Sequence, residues 1–340
     1  MRYFQALTIA SFVLALSACG QTPTNLAGVT PAPAATRTPA SSPVVAGQFT
    51  PPPGSIYFGA YVDPSGLAHG FAPADVAQFE SQIGRTLTLH TQYLSFTANF
   101  AGNLLTDDYV HFRVPVVSWN CQFPDAKIVD GSEDGAIQNA AQQAKSFSGP
   151  IFIRYMWDMN LPSTEFARNN CYNPALGDPP DNQFSPSQFI AAWQHIHNIF
   201  TQAGATNVIW LWTVSADPNA FSPMQYYPGS QWVDWVGMDA YDLTNGSAAA
   251  TFQPLYATLS ALNKPIMIAE TGAAASIQPS FFPTIVPTLK TQFPNVKAFC
   301  YYDAINFNGA DNQDWRITTA AWPAFLALAN DPYMSGTYAP

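Results

Sequence analysis

The sequence predicts an α/β protein whose eight parallel strands close into a (β/α)8 TIM barrel, and two observations support this fold. Apolar runs of strand length alternate with amphipathic segments of helix length, which is the pattern of a parallel sheet. Eight such runs occur in the 340-residue chain. Eight βα units in this length favour a closed barrel over an open, doubly wound sheet.

The predicted strands follow one another at regular intervals. In chain order they cover residues 55–62, 86–96, 114–120, 150–158, 207–214, 232–241, 264–272 and 296–305. The clearest predicted helix begins at Pro186, where Ser185 can cap it, and it ends before Gly204. Its apolar residues recur at helical spacing and are Phe189, Trp193, Ile196 and Phe200.

The start of the chain predicts export and anchoring. Residues 1–18 carry Arg2 and an apolar run that is too short to span a bilayer, as in a signal peptide. Cys19 follows Leu-Ser-Ala and is the predicted lipidation site of a membrane-anchored lipoprotein, periplasmic or on the cell surface. An ordinary small-residue cleavage site is the alternative. Residues 19–53, rich in Pro, Thr and Ala, form a predicted tether, and residues 54–340 form the predicted barrel domain.

The composition narrows the range of partners. The chain is globular, with 48% hydrophobic and 10% charged residues. A net charge of -10 disfavours nucleic acids and anionic lipid surfaces, and neutral substrates suit the chain better. We also expect a monomer that contacts the membrane only through its lipid anchor.

The remaining cysteines and the histidines serve structure in this interpretation. Cys121 and Cys171 follow predicted strands in long loops and are the preferred disulfide pair, whereas Cys300 lies in an apolar run and is expected to be a buried thiol. Three free thiols are the alternative. His195 and His197 cannot share a helix face, so no metal is predicted. No glycine-rich phosphate loop or acyl-transfer motif predicts another cofactor or chemistry.

Two acids lie where a barrel places its chemistry, at the carboxyl ends of the strands. Glu270 ends the seventh run and Asp158 ends the fourth. An ionisable group directly after an apolar run is costly unless it is paired or used in function. Arg154, Tyr241 and Asp239 offer partners. A salt bridge at Glu270 and a turn cap at Asp158 are the structural alternatives.

Several segments of the chain resemble glycoside hydrolase family 26, a mannanase-rich family of retaining (β/α)8 enzymes. They are GAYVDP at 59–64, IFIRYMWDMN at 151–160, NVIWLW at 207–212, YYPGSQWVDWVGMDAYD at 226–242, KPIMIAETG at 264–272 and DWRI at 314–317. The resemblance implies Glu270 as nucleophile and Asp158 as acid/base, where the family has Glu. Trp157 takes the place of a family histidine. The substrate-binding positions that the resemblance retains are Arg154, Asn160 and Tyr241.

Aromatic residues near the strand ends are candidate platforms for sugar rings. They are Trp119, Trp157, Trp212, Tyr241, Tyr301 and Tyr302. Trp212 is preferred to Trp210 because it lies nearer the carboxyl end of its strand.

The predicted function is a retaining glycoside hydrolase that acts on a β-linked polysaccharide through a glycosyl-enzyme on Glu270. β-1,4-Mannan is preferred by family habit, and xylan and β-glucan stay open. The Asp158 side chain is one methylene shorter than Glu and loses about 1.5 Å of reach. A catalytically impaired, carbohydrate-binding barrel is therefore the alternative. A solute-binding lipoprotein is disfavoured because such proteins have two lobes rather than one barrel.

Overall fold

A computed structural model describes residues 49–64, 73–100, 102–147, 149–162, 171, 175, 184–305 and 313–338. All of these belong to one compact unit. The predicted signal peptide, the Cys19 lipidation site and most of the predicted tether lie outside the described residues. Within the described ranges, no helix combines the length and the hydropathy needed to cross a membrane.

The strands form a closed barrel in sequence order, and every neighbouring pair is parallel. They are β1 Tyr57–Asp63, β2 Leu89–Leu94, β3 Val114–Trp119, β4 Ile151–Tyr155, β5 Val208–Ser215, β6 Trp235–Asp239, β7 Ile266–Glu270 and β8 Val296–Ala304. Each overlaps its predicted run, so the predicted (β/α)8 fold is confirmed.

The helices surround this barrel. They are α1 Pro73–Ile83, α2 Asn103–Val110, α3 Asp125–Val129, α4 Asp134–Ser146, α5 Pro186–Ala203, α6 Ala248–Ser260, α7 Gln278–Thr291 and α8 Trp322–Ala329. As predicted, Ser185 caps α5 by accepting a hydrogen bond from the Gln188 amide, and Gly204 ends it in the left-handed region. The β5–β6 connection holds only two 3-10 turns, Pro223–Tyr226 and Ser230–Trp232, whereas the β3–β4 connection holds both α3 and α4.

Two apolar layers make the core. The larger layer lies between the strands and the helices, and the smaller one fills the barrel interior toward its amino-terminal end. Crowding in the interior explains Gly59. A Cβ at that position would lie 2.6 Å from the Leu89 carbonyl oxygen and 2.9 Å from the Cys300 sulfur. Only glycine fits where β1 approaches its neighbours so closely.

An aromatic cluster closes the amino-terminal end of the barrel. The Phe49 ring is 4% exposed, and its centre lies 5.0 Å from Tyr57, 5.4 Å from Phe152 and 5.2 Å from Tyr338. The sequence analysis placed Phe49 in the tether, because the prolines and small residues around it are typical of an extended linker. The packed domain therefore includes at least residues 49–53, ahead of the predicted boundary at 54.

Candidate active site

The opposite end of the barrel, where the strands finish, carries polar side chains in place of the apolar filling. Pairing brings Tyr93 of β2 beside Ser118 of β3, Ser118 beside Arg154 of β4, and Asp239 of β6 beside Glu270 of β7. Because the strands are parallel, and a register shift between Met238 and Asp239 sets Asp239 beside Glu270, these five residues form one layer at the carboxyl end. This layer is the candidate active site.

Arg154 is the centre of the layer. It is fully buried, and its Nε donates to Ser118 Oγ at 2.7 Å. One terminal nitrogen donates to both carboxylate oxygens of Asp239 at 3.0 Å, and the other donates to Glu270 and, at 3.3 Å, to the Tyr93 hydroxyl. Burial lowers the pKa of Arg154, but the charges of Asp239 and Glu270 outweigh it and raise that pKa well above its usual value. The guanidinium therefore stays charged and holds both acids in place.

Glu270 is held on both of its oxygens. Oε1 accepts hydrogen bonds from Arg154 and from the Tyr93 hydroxyl, and Oε2 accepts one from the Tyr241 hydroxyl at 2.7 Å. The residue is 6% exposed. These contacts fix the orientation of the Glu270 side chain. Burial, followed by the charge of Glu270, raises the pKa of both tyrosines well above 10, so they stay protonated as donors.

Aromatic rings surround the Arg154 guanidinium and the Glu270 carboxylate. The Tyr93 ring lies 5.0 Å from Trp157 and 4.8 Å from Tyr61, and the Tyr241 ring lies 4.6 Å from Trp315. The Arg154 guanidinium carbon lies 5.5 Å from the centre of the Trp157 ring. Tyr93, Trp157 and Tyr241 are partly exposed. The site therefore offers flat apolar faces around a fixed carboxylate, which suits the apolar faces of sugar rings.

Asp158 lies in the turn after β4 rather than on the strand. The strand ends at Tyr155, three residues earlier than predicted, because Met156 adopts a φ of 46°. Asp158 itself has a φ of 59°, and its side chain is hydrogen-bonded to Asp239. The second acid therefore reaches the same layer, from a turn that contains two left-handed non-glycine residues.

Comparison with known proteins agrees with this geometry. The sequence model of glycosyl hydrolase family 26 matches residues 180–331. The chain is 26% identical over 288 residues to endoglucanase H of Acetivibrio thermocellus, covering 80% of this chain and 30% of that protein. It is 26% identical over 202 residues to a mannan endo-1,4-beta-mannosidase of Bacillus subtilis, covering 56% of this chain and 50% of that protein.

Over residues 180–331, this chain is similar to glycoside hydrolase family 26. The predicted resemblance is therefore confirmed. The matched stretch contains Asp239, Tyr241 and Glu270, whereas Arg154 and Asp158 precede it. A solved structure of the YdhT protein from Bacillus subtilis shares the fold with a TM-score of 0.58 at 17% identity, covering 87% of this chain and 90% of that one.

Three of the aromatic platforms predicted from their position near strand ends are wrong. Trp119, Trp212 and Tyr301 are fully buried in the layer between the strands and the helices. Trp119 stacks on Phe96 at 4.8 Å, and the Trp212 ring lies 5.1 Å from Tyr227. The reason is strand parity, because their side chains point away from the barrel interior.

Asn160 also has a different role from the predicted one. Its side-chain nitrogen donates to the carbonyl oxygens of Ser215 at 3.1 Å and Phe221 at 3.2 Å, and its oxygen accepts from the Ser215 amide at 2.9 Å. It is fully buried. Asn160 therefore ties the turn that carries Asp158 to the end of β5, and it is not exposed for substrate.

Sequence reasoning did not single out Tyr93 as part of the site. It lies in the second apolar run, and its parity with Leu89 and Thr91 was the one signal that it faces the barrel interior. Tyr302, which was predicted only as an aromatic near a strand end, shares the interior with Tyr61 at 4.9 Å. Tyr93 belongs to the layer that holds Glu270, and Tyr302 lies beside it, 6.3 Å from the Tyr93 ring.

The cysteines follow the prediction. Cys121 and Cys171 form a disulfide that spans 50 residues, and Cys300 is a buried free thiol. The disulfide joins the loop after β3 to the loop after β4, which also carries Asp158. Over the parts of the chain that the structure describes, no group of three or more His, Cys, Asp or Glu side chains could hold a metal ion.

Proposed function

We propose that this protein is a retaining glycoside hydrolase that cleaves a β-linked polysaccharide, with Glu270 as its nucleophile. The observation that carries this proposal is the Glu270 carboxylate, held at the carboxyl end of the barrel by Arg154, Tyr93 and Tyr241. A carboxylate fixed in this way can attack an anomeric carbon without first reorganising. The relationship to family 26 supports the same assignment.

In the first step, a Glu270 oxygen bonds to the anomeric carbon while the bond from that carbon to the glycosidic oxygen breaks. Asp158, in its acid form, gives its proton to the departing oxygen. In the second step, water attacks the anomeric carbon and passes a proton to Asp158, and the bond to Glu270 breaks. Two displacements at the same carbon retain its configuration.

The contacts of Glu270 suggest which of its oxygens attacks. Oε1 accepts from both Arg154 and Tyr93, whereas Tyr241 is the one donor to Oε2 given by the described residues. Each hydrogen bond draws electron density from the oxygen that accepts it. Oε2 is therefore the better nucleophile, and Oε1 anchors the side chain.

For the substrate, we propose β-1,4-mannan first and a β-glucan second. The matched Bacillus subtilis relative is named for mannan. The endoglucanase relative matches a larger share of this chain, 80% against 56%, which is why a glucan is tested beside mannan. The protein spans only part of either relative, so the substrate has to be measured directly.

The test is hydrolysis of β-mannan, mixed-linkage β-glucan and xylan by the purified protein, with Glu270→Gln as the matched control. We expect oligosaccharides from mannan, with the product anomer first released in the β configuration by proton NMR. The isosteric amide of Glu270→Gln cannot attack, so its turnover should fall at least about a thousandfold while sugar binding persists. Undiminished turnover in this variant would remove Glu270 from the mechanism.

A second outcome of that experiment favours the alternative function. If the unaltered protein binds one of these glycans and cleaves none of them, the site is a carbohydrate-binding barrel and no longer an enzyme. The turn that carries Asp158 motivates this alternative, because a shorter acid must still reach the glycosidic oxygen. A misplacement on the order of 1 Å can cost about 100-fold in rate.

We further propose that the protein is exported, that its signal peptide is removed before Cys19, and that a lipid on Cys19 anchors it. The support is the sequence pattern of residues 1–19. Cells that express the protein with radiolabelled palmitate should incorporate label, and Cys19→Ser should abolish the incorporation. Equal labelling of both proteins would refute the anchor.

A further inference from the structure

Trp315 packs against Tyr241, the residue that donates to Oε2 of Glu270. The centres of the two rings lie 4.6 Å apart, and their planes are inclined by 35°. Trp315 is only 5% exposed, so it offers little surface to a sugar, and the proposed chemistry gives it no task. What Trp315 can do from this place is fix the position of the Tyr241 ring.

The backbone of Tyr241 is fixed by the neighbouring strand, so its hydroxyl moves only with its ring. On one side, the Ala240 amide donates to the Glu270 carbonyl oxygen at 3.0 Å. On the other side, the Asp242 amide donates to the Gly272 carbonyl oxygen at 2.9 Å. The phenol oxygen lies at the far end of a rigid ring. A tilt of that ring therefore carries the hydroxyl away from Oε2, which now lies 2.7 Å from it.

Trp315 is itself held on both sides of its backbone. Its amide donates to the Ala304 carbonyl oxygen at 3.0 Å, and its carbonyl oxygen accepts from the Tyr301 hydroxyl at 2.7 Å. The residues that follow are held as well, because the Ile317 amide donates to the Asp303 carboxylate at 2.9 Å. The Trp315 ring therefore extends from a segment that is tied to the end of β8.

Gly272 makes room for the Trp315 ring. A Cβ on Gly272 would lie 2.9 Å from Cε3, 3.0 Å from Cδ2 and 3.1 Å from Cβ of Trp315. Carbon atoms pack best about 3.5–4.0 Å apart, so the whole Trp315 side chain would have to move by roughly 0.5 Å or more. The φ of Gly272 is outside the left-handed region, so its backbone conformation does not require glycine. The contact with Trp315 is what requires it.

We propose that Gly272 and Trp315 are positioning residues that hold the Tyr241 hydroxyl on Oε2 of Glu270, and that this contact serves the breakdown of the glycosyl-enzyme. The inference rests on the proposed function, in which Oε2 attacks. In the glycosyl-enzyme, Oε2 is bonded to the anomeric carbon. When water displaces it, the electron pair of that bond returns to Oε2, and a donor already in place stabilises the developing charge.

The first displacement depends less on the Tyr241 contact. In that step Oε2 gives up charge as it bonds to the anomeric carbon, so the hydrogen bond from Tyr241 weakens on the way to the transition state. Arg154 and Tyr93 still orient Glu270 through Oε1. Loss of the Tyr241 contact should therefore slow the second step and leave the first step nearly unchanged.

The first test combines Gly272→Ala and Tyr241→Phe, each alone and both together. The substrate is the dinitrophenyl glycoside of whichever glycan the protein cleaves, because a good leaving group makes the second step limiting. Each single variant should lower kcat by about tenfold or more and change kcat/KM by less than about threefold, with a burst of dinitrophenol before the steady state. The double variant should be no slower than Tyr241→Phe alone, because both substitutions remove the same contact.

Gly135→Ala is the matched control, because its added methyl group has nothing within 4 Å and should leave kcat unchanged. Additive losses in the double variant would show that Gly272 acts on something other than the Tyr241 hydroxyl. Equal losses in kcat and kcat/KM would show that Gly272 only supports the fold. Either result would overturn the inference.

A crystal structure of Gly272→Ala decides the matter without activity, and Trp315→Phe replaces this variant if it does not fold. The distance from the Tyr241 hydroxyl to Oε2 should grow from 2.7 Å by roughly 0.5 Å or more, while Tyr93 stays on Oε1. An unchanged distance would refute the positioning role. A displaced Tyr241 hydroxyl, in a protein that hydrolyses no glycan even unaltered, would uphold the positioning role and reject the proposed function.

Discussion

The two ends of the barrel are built from the same strands and differ in what fills them. At the amino-terminal end, Phe49 packs among Tyr57, Phe152 and Tyr338. At the carboxyl end, Arg154 donates hydrogen bonds to Asp239 and Glu270 in a layer that is almost fully buried. Phe152 and Arg154 are two residues apart on β4, so one strand serves both ends through the same face.

The difference separates stability from chemistry. Burial of aromatic rings at the amino-terminal end stabilises the fold by itself, at roughly 25 cal/mol for each Å² of apolar surface removed from water. The charged layer stabilises the fold only if its ion pairs and hydrogen bonds offset the cost of desolvating Arg154, Asp239 and Glu270. We therefore expect substitutions at the carboxyl end, the mouth of the barrel, to change activity most. Substitutions at the amino-terminal end, the base of the barrel, should change the free energy of unfolding.

The largest expected effect is at the mouth. Asp158→Ala should lower kcat/KM on substrates with poor leaving groups by about 100-fold to 10,000-fold, because these need a donated proton. Activated aryl glycosides should lose far less in the bond-breaking step, and added azide should yield a β-glycosyl azide. Equal losses on both substrate types without an azide product would mean that Asp158 is structural.

At the base, Phe49→Ala should lower the free energy of unfolding by about 3 kcal/mol, since it leaves a cavity beside three aromatic rings. Activity of the remaining folded protein should be unchanged. Urea denaturation and an assay at low temperature measure the two effects. Val110→Ala is the control, because Val110 is 54% exposed and its truncation should cost little. An equal effect of both substitutions would argue against closure of the barrel by Phe49.

The smallest effect compares two glycines. Gly59→Ala should destabilise the protein by about 2 kcal/mol, because the new Cβ would overlap the Leu89 backbone and the Cys300 sulfur. Gly135→Ala places the same methyl group on α4, where nothing lies within 4 Å, and should be neutral or stabilising by up to about 1 kcal/mol. Thermal unfolding of both variants measures the difference. A stable Gly59→Ala protein would mean that the barrel interior can expand.

The sequence by itself determined the order and type of the elements, because those depend on local signals. Strand-length apolar runs placed all eight strands, and a serine cap with a closing glycine bounded α5. It also placed Glu270 at the carboxyl end of the seventh strand, because this acid directly follows an apolar run. The Cys121–Cys171 pair followed from the loops in which the two cysteines lie.

The tertiary structure alone decided which way side chains face and which distant groups meet. Strands of a parallel barrel are apolar on both faces, so alternation could not tell that Trp212 and Tyr301 face the helices while Tyr93 and Tyr302 face the interior. Phe49 was predicted to be part of the tether, and only the folded barrel shows that its ring packs among aromatic rings. The hydrogen bond between Asp158 and Asp239 joins a turn to a strand 81 positions along the chain, which only closure of the barrel brings together.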